Sequence, residues 1–399
     1  MEQKLRSNIW KYAVLLIANK RIFVAILGAY YLTIPGVTPQ GIGIILLAGS
    51  LAGFLFEIPS GYVSDKMGHK AALVLSRVFM FVSTLFFLLA DNIFFLVLGG
   101  IFLSTGNAFH SGTGSAFMHE TLRGLKREDE YAEVTGKIGS IGFAVPIILT
   151  VLTPFLVEVS FKAPFVVGLV MDLIGILAAF SLMTPPVPQE EIDEIKITKF
   201  RQVVAEGRRL HFFVFALFSG IISGTLFGVG GFRAPYQMFL EVPVIWYGVL
   251  FGAGRLLASI MMAYSGKIRK KISLFSLYGF RLFLYTFLIL VLGLVSNWQI
   301  VVVTFIIINA FQWGLSKIGG SYMIDIIKTS KFKATLLSIR AQLGQFVGAV
   351  VSFGVGFMIE HFSYQQGFLY LGIIFFVILF PFYLYIISRY KDINMALNR

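Results

Sequence analysis

The chain runs to 399 residues, 57% of them hydrophobic and only 13% charged, with no cysteine. Soluble domains carry about 25% charged residues, so a mean hydropathy of +0.84 excludes one. The missing cysteines exclude disulfides, thiolate metal sites and cysteine nucleophiles. The formal charge of +13 invites a nucleic-acid partner, but its distribution argues for a bilayer instead.

Lys and Arg gather in alternate connections and at the ends. They are Lys4, Arg6 and Lys11; Lys66 and Lys70; Arg123, Lys126, Arg127 and Lys137; then Lys196, Lys199, Arg201, Arg208 and Arg209. Lys267, Arg269, Lys270 and Lys271 follow, then Lys328, Lys331 and Lys333, and last Arg389, Lys391 and Arg399. The intervening connections carry little beyond Lys162. This is the positive-inside pattern. It predicts a multi-pass protein of a bacterial-type inner (plasma) membrane, with both termini cytoplasmic and an even number of spans. Residues 1–11 show no small-residue cleavage site of a signal peptide.

A span takes about 20 apolar residues, and twelve fit the length. Residues 22–56 and 282–316 contain no charge and break at residues 34–39 and at Ser296, Asn297 and Trp298. The pattern predicts helices over 10–34, 40–60, 71–90, 93–121, 135–157 and 163–184. In the second half it predicts 210–232, 243–266, 273–296, 298–326, 334–359 and 366–388. The fold class is thus all-α integral membrane, twelve transmembrane helices in two pseudo-symmetric six-helix bundles. The first bundle covers 1–184 and the second, with its tail, 210–399. Residues 185–209 form a cytoplasmic linker, Pro-rich, then acidic at 190–194, then basic, with the makings of a short amphipathic surface helix.

The halves echo each other. Asn107, Ala108, Phe109 and His110 recur as Asn309, Ala310, Phe311 and Gln312. Each set precedes a Gly-rich turn and an acid, Glu120 or Asp325. Arg77, Val78 and Phe79 recur as Arg281, Leu282 and Phe283. Repeated halves with polar groups inside the spans are a transporter signature.

Residues 57–73 carry Gly61, Asp65, Lys66, Gly68, His69 and Lys70 in the first basic hairpin. This run resembles the loop signature of the major facilitator superfamily, roughly Gly-x-x-x-Asp-Arg-x-Gly-Arg-Lys. Glu57, Pro59, Ser60, Ser111, Gly112, Ser115 and Glu120 are similar to bacterial solute and drug permeases. The resemblance implies the major facilitator fold and alternating-access transport, with helices 1, 4, 7 and 10 lining the path. Gly61, Asp65, Gly68, Lys70, Arg77 and Arg340 are then gating residues. Gly61 and Gly68 allow a tight turn, Arg77 reaches back to Asp65, and Arg340 is its partner across the bundles. The second copy, Gly266 to Lys271, lacks the Asp. The exporter signature of helix 5 is not reproduced.

A charge at mid-bilayer costs about 2.5–3.5 kcal/mol even on the lenient insertion scale, so each needs a cavity or a partner. Basic candidates are Lys20, Arg21, Arg77, Arg233, Arg255, Arg281, Lys317 and Arg340; acids are Glu57, Glu120, Asp172 and Asp325. Arg233 and Glu241 lie near the outer face, where long side chains reach water. Arg21, Asn107, His110, Arg255, Gln312 and Lys317 are the substrate-binding candidates, and Glu57, Glu120 and His110 the proton-coupling candidates. The path is cationic, favouring an anionic, carboxylate-bearing or siderophore-like solute. Alternatively the cations pair with Glu57 or Asp172, and the chain is a proton-coupled efflux carrier of amphipathic or cationic drugs. A channel or membrane receptor is the reading from another class.

No enzyme is expected. Gly228, Gly230 and Gly231 lack the Lys-Ser/Thr of a phosphate loop, and the five histidines form no metal-ligand pair. The expected partners are a small organic solute, protons and the lipid bilayer, with no cofactor, metal or nucleic acid, and the chain is expected to be a monomer.

Overall fold

The computed structural model describes residues 2–185, 200–330, 332–391 and 393. Among them are eleven helices long and apolar enough to cross a membrane. A twelfth segment, residues 2–32, is apolar but broken. The protein is all-helical and multi-pass, as the sequence predicts, with no strand among the described residues. Contacts divide it into two compact units: Met1–Gly36 with Ala48–Ile197, and Val37–Leu47 with Thr198–Arg399. The acidic block and Lys196 and Lys199 of the expected linker lie outside the described residues.

The first unit holds α1 (Glu2–Asn19), α2 (Leu27–Leu32), most of α3 (Pro39–Met67), α4 (His69–Leu89), α5 (Ile93–His110), α6 (Thr113–Gly124), α7 (Tyr131–Leu152) and α8 (Ala163–Ser181). The second holds α9 (Phe200–Arg209), α10 (Phe212–Gly231), α11 (Arg233–Phe239), α12 (Tyr247–Ala263), α13 (Ser265–Lys271), α14 (Leu274–Leu294), α15 (Trp298–Gly314), α16 (Ser316–Ile326), α17 (Lys333–His361) and α18 (Tyr364–Arg389).

Three expected spans turn out to be pairs of helices. Residues 93–121 break at Ser111 and Gly112, where Gly112 takes φ +69°, a left-handed backbone that favours glycine. Residues 298–326 break at Leu315, and the span expected over 210–232 continues past Phe232 as α11. The first span, expected unbroken over 10–34, starts at Glu2 and is interrupted. α1 ends at Asn19, Arg21 is extended (φ −77°, ψ 103°), a 3-10 turn spans Ile22–Ala25, and α2 follows. The second span runs past 60 to Met67. Gly61 and Asp65 are therefore helical, and the tight turn rests on Gly68 alone, at φ +87°.

In lipid, helices associate through close packing of small residues rather than through hydrophobic burial. In the second unit Gly220, Gly224 and Gly228 line one face of α10 against α17. A Cβ on Gly224 would sit 2.6 Å from the Gly348 nitrogen. The pairing of α1 with α7 and of α4 with α8 in the first unit matches α10 with α17 and α14 with α18 in the second. Equivalent spans also start alike. Asn92 caps α5 by accepting from Phe94 N, and Asn297 caps α15 by accepting from Ile300 N. On α9, Arg209 donates to Glu206 at 2.7 and 2.9 Å, which holds that carboxyl below its usual range.

Candidate functional site

The break in the first span turns Arg21 into the first unit. One Nη donates 2.9 Å to the Ala18 carbonyl, an acceptor the interrupted helix leaves open. The guanidinium also grips Asp172 of α8 with two bonds, at 2.6 and 2.8 Å. Thr84 of α4 donates to the same carboxylate at 2.6 Å and accepts from Arg21 at 3.0 Å. The Asp172 side chain is wholly buried and that of Arg21 nearly so. A paired, hydrogen-bonded carboxylate is the form in which such a charge survives burial. Arg21 thus has a mid-span acid as its partner, Asp172, the pairing named in the alternative reading of the sequence.

Arg77 does not reach Asp65. Asp65 lies in the last turn of α3, whereas Arg77 lies eight residues into α4, about 12 Å beyond the Gly68 turn at 1.5 Å each. Arg77 is fully buried, bonded through one Nη to Asn19 and, at 2.9 Å, to Ser76. Ser76 in turn donates to Gly106 O at 2.7 Å. The Arg77 Nε and other Nη have no hydrogen-bond partner. Room for the side chain comes from Gly175, whose Cβ would lie 3.2 Å from Arg77 Cδ. Asn19 and Ser76 are neutral, and Asp172 is held by Arg21, so the interior of the first unit carries more positive charge than negative.

His110 sits on the last turn of α5 before the Ser111–Gly112 break. Its ring stacks with Tyr12 at 6.5 Å and 11°, and its Nδ1 is buried without a partner. A cavity of about 170 Å³ opens beside Tyr12, between α1, α6 and α7, lined also by Leu16, Gly114, Met118, Tyr131 and Thr135. Asn107 is exposed.

At the basic end of the first unit, Thr113 donates to Ser64 Oγ (3.2 Å), and Ser64 meets His69 Nδ1 (2.7 Å). His69 Nε2 meets Glu120 at 3.1 Å. The run reads in one direction, with Nδ1 accepting and Nε2–H donating. Glu57 accepts from Ser111 Oγ at 3.4 Å. Asp65 and Gly61 are exposed, and Lys70 is half-buried. The second unit has a counterpart in its own hairpin. Arg269 donates to Asp325 at 2.9 Å and covers the Tyr322 ring at 3.4 Å. Glu120 and Asp325, offset differently from the repeated Asn, thus do the same job.

Inside the second unit the cations lie on aromatic rings. Arg255 stands 4.2 Å from the Trp313 ring centre and 5.0 Å from that of Phe251. Arg233 covers Phe251 at 4.3 Å. It turns onto the ring rather than out to water, because it opens α11 directly after the Phe232 break. Arg281 is buried beside Tyr285. Arg340 and Gln312 are half-buried, and Lys317 is exposed. Asn309 Nδ2 donates to Phe251 O at 3.5 Å. No ion pair among the described residues includes Arg255, Arg281, Lys317 or Arg340.

Sequence reasoning missed Thr84 and the tyrosines Tyr30 and Tyr236. Tyr30 donates to Phe87 O (2.6 Å), and Tyr236 to Leu292 O (3.0 Å). Their spacing, close to that of Arg77 and Arg281, was the available signal.

Residues 12–326 match the family model described as Major Facilitator Superfamily. Among solved structures, the chain is similar to a point mutant of the nucleoside transporter NupG, with 13% identity, a TM-score of 0.77, and 97% of this chain and 100% of that one covered. A bacterial homologue of the human lysosomal transporter Spinster, inward-facing and occupied, gives 14%, 0.71, and 97% of each chain. A POT family transporter in complex with 5-aminolevulinic acid gives 14%, 0.69, 98% and 96%. No curated protein matches in sequence. The chain belongs to the major facilitator superfamily, and it is a transporter rather than an enzyme.

Proposed function

We propose that this member of the superfamily carries a small organic anion across the inner membrane by alternating access, as a proton-coupled monomer with both termini cytoplasmic. The observation that carries the reading is the surplus of interior cations. Arg77 is fully buried with only neutral hydrogen-bond partners, and Arg255 and Arg281 form no ion pair among the described residues. A buried charge of one sign is costly until an opposite charge joins it. A carboxylate-bearing solute supplies that charge through charge-assisted hydrogen bonds. His110, with its orphaned Nδ1, adds a polar contact on the same path, as do Asn107, Gln312 and Lys317.

Glu57 is the proton site in this reading. Asp172 is held by Arg21 and Glu120 by His69, whereas Glu57 has only the Ser111 hydroxyl, at 3.4 Å. Asp65, Gly68, Lys70 and Arg340 stay in this reading as gating residues, while Arg77, buried on Asn19 and Ser76, and the helical Gly61 leave that set.

The test is counterflow in proteoliposomes with labelled carboxylates, nucleosides, amino acids, ferric siderophores and a lipophilic cation. Exchange of carboxylates that Glu57→Gln preserves, with loss of uptake driven by a pH gradient, supports both parts. Gradient-driven uptake that survives Glu57→Gln removes the proton assignment. Exchange confined to the lipophilic cation favours a second reading, efflux of amphipathic or cationic compounds. The Arg21–Asp172 pair, which cancels one interior cation, speaks for that reading.

A further inference from the structure

Arg255 is held in an unusual way for a charged side chain inside a span. Its guanidinium lies on two rings, Phe251 one turn back on α12 and Trp313 on α15, at 5.0 and 4.2 Å. It makes no hydrogen bond or ion pair with any described residue, and none of its nitrogens is sealed from contact in the way the Arg77 Nε is. Cation–π contacts hold a cation against the face of an aromatic ring without supplying a hydrogen-bond acceptor. They leave the N–H fork of the guanidinium unused. A guanidinium held against two rings, with its N–H fork unbonded, is preorganised for a bidentate oxyanion.

Two further observations shape the ligand. Arg233 covers the same Phe251 ring at 4.3 Å, so a second cation adds to the field at the fork. Trp313 is 41% exposed, which leaves indole surface beside the fork free to take a flat, apolar group. The backbone that presents the cluster is steadied from α15. Asn309 bonds to Phe251 O, and a Cβ on Gly254 would lie 3.0 Å from Asn309 Cβ.

The geometry points to an aryl-carboxylate site in the second unit. The carboxylate is taken bidentately by Arg255, and the ligand's ring is laid against Trp313. This rests on the anionic-solute reading above and narrows it to one substrate class and one anchor.

The experiment is fluorescence titration of the full chain with Trp10, Trp246 and Trp298 replaced by Phe, leaving Trp313 as sole reporter. Benzoate is the probe and benzamide its neutral counterpart. The expected result is saturable quenching by benzoate and none by benzamide. Arg255→Gln weakens benzoate at least tenfold. Arg255→Lys, which keeps the charge and loses the fork, falls between the two. Unchanged melting of both variants shows that the loss is not unfolding. Equal quenching by benzamide, benzoate binding indifferent to Arg255→Gln, or no saturable quenching each overturns the site. If carboxylate counterflow persists in proteoliposomes of Arg255→Gln, the anionic reading survives the loss of this anchor. If the native protein exchanges no carboxylate at all, the broader reading fails on its own terms.

Discussion

In the first half, Tyr30 donates to Phe87 O at the end of α4 and packs on Phe165 at 4.4 Å. In the second half, Tyr236 does the same with Leu292 O and Phe368, at 5.5 Å. At the opposite end of each half, a hairpin base holds an acid, His69 with Glu120 and Arg269 with Asp325. Between these shared ends the halves diverge. Asp172 comes seven residues after Phe165, and seven after Phe368 stands the buried Phe375. Thr84 comes three before Phe87, and three before Leu292 stands the buried Ile289. One half therefore builds an ion pair where the other packs hydrocarbon, on the same scaffold. The pair is not what the scaffold needs. It is what orders the break in the first span and fixes Arg21.

The sharpest break of that comparison is Asp172→Ala. It strands Arg21 in a buried position, and removing one member of a buried pair costs about 3–5 kcal/mol. Arg21→Leu combined with Asp172→Leu imitates the second half and recovers most of the loss. Melting in detergent reads both, and a double variant as unstable as Asp172→Ala contradicts the account. Next comes Gly175→Ile, which supplies the residue type found at the matching Ile378. Overpacking against Arg77 and Ala18 costs about 1–3 kcal/mol, and adding Arg77→Ala relieves part of it. Tyr30→Phe and Tyr236→Phe should each cost about 0.6 kcal/mol, a typical value for a hydrogen bond between membrane helices. Unequal costs would break the equivalence of the two ends. The smallest effect belongs to Asp325→Asn, whose partly exposed pair lies at the low end of the range for surface pairs, about 0.2 kcal/mol.

Much of the architecture was legible because composition dictates it. Charge-free tracts mark spans, and alternating basic connections mark the hairpins. The repeated Asn107 and Asn309 runs signalled matching helices, and both helices break just beyond them. The interruption at Arg21 was not legible. Its cause is a guanidinium that takes up Ala18 O and a carboxylate 151 residues away, and no local pattern encodes that. Arg77 was misdirected for a similar reason. A family pattern placed its partner in the nearby hairpin, while Gly175 on α8 opened a pocket for it in the interior. Arg255 was legible as a charge within a span, and its two aromatic supports emerged only when α12 and α15 were brought together.

The central claim is that the surplus of interior cations serves a bound anion. Thermal stability of the purified protein across ligand classes tests it most directly. A ligand at 100 times its Kd stabilises the native state by about 2.7 kcal/mol. The account predicts a rise in Tm with carboxylate-bearing solutes, lost when Arg77 and Arg255 are both replaced by Gln, and no rise with lipophilic cations. Stabilisation by lipophilic cations alone would contradict it.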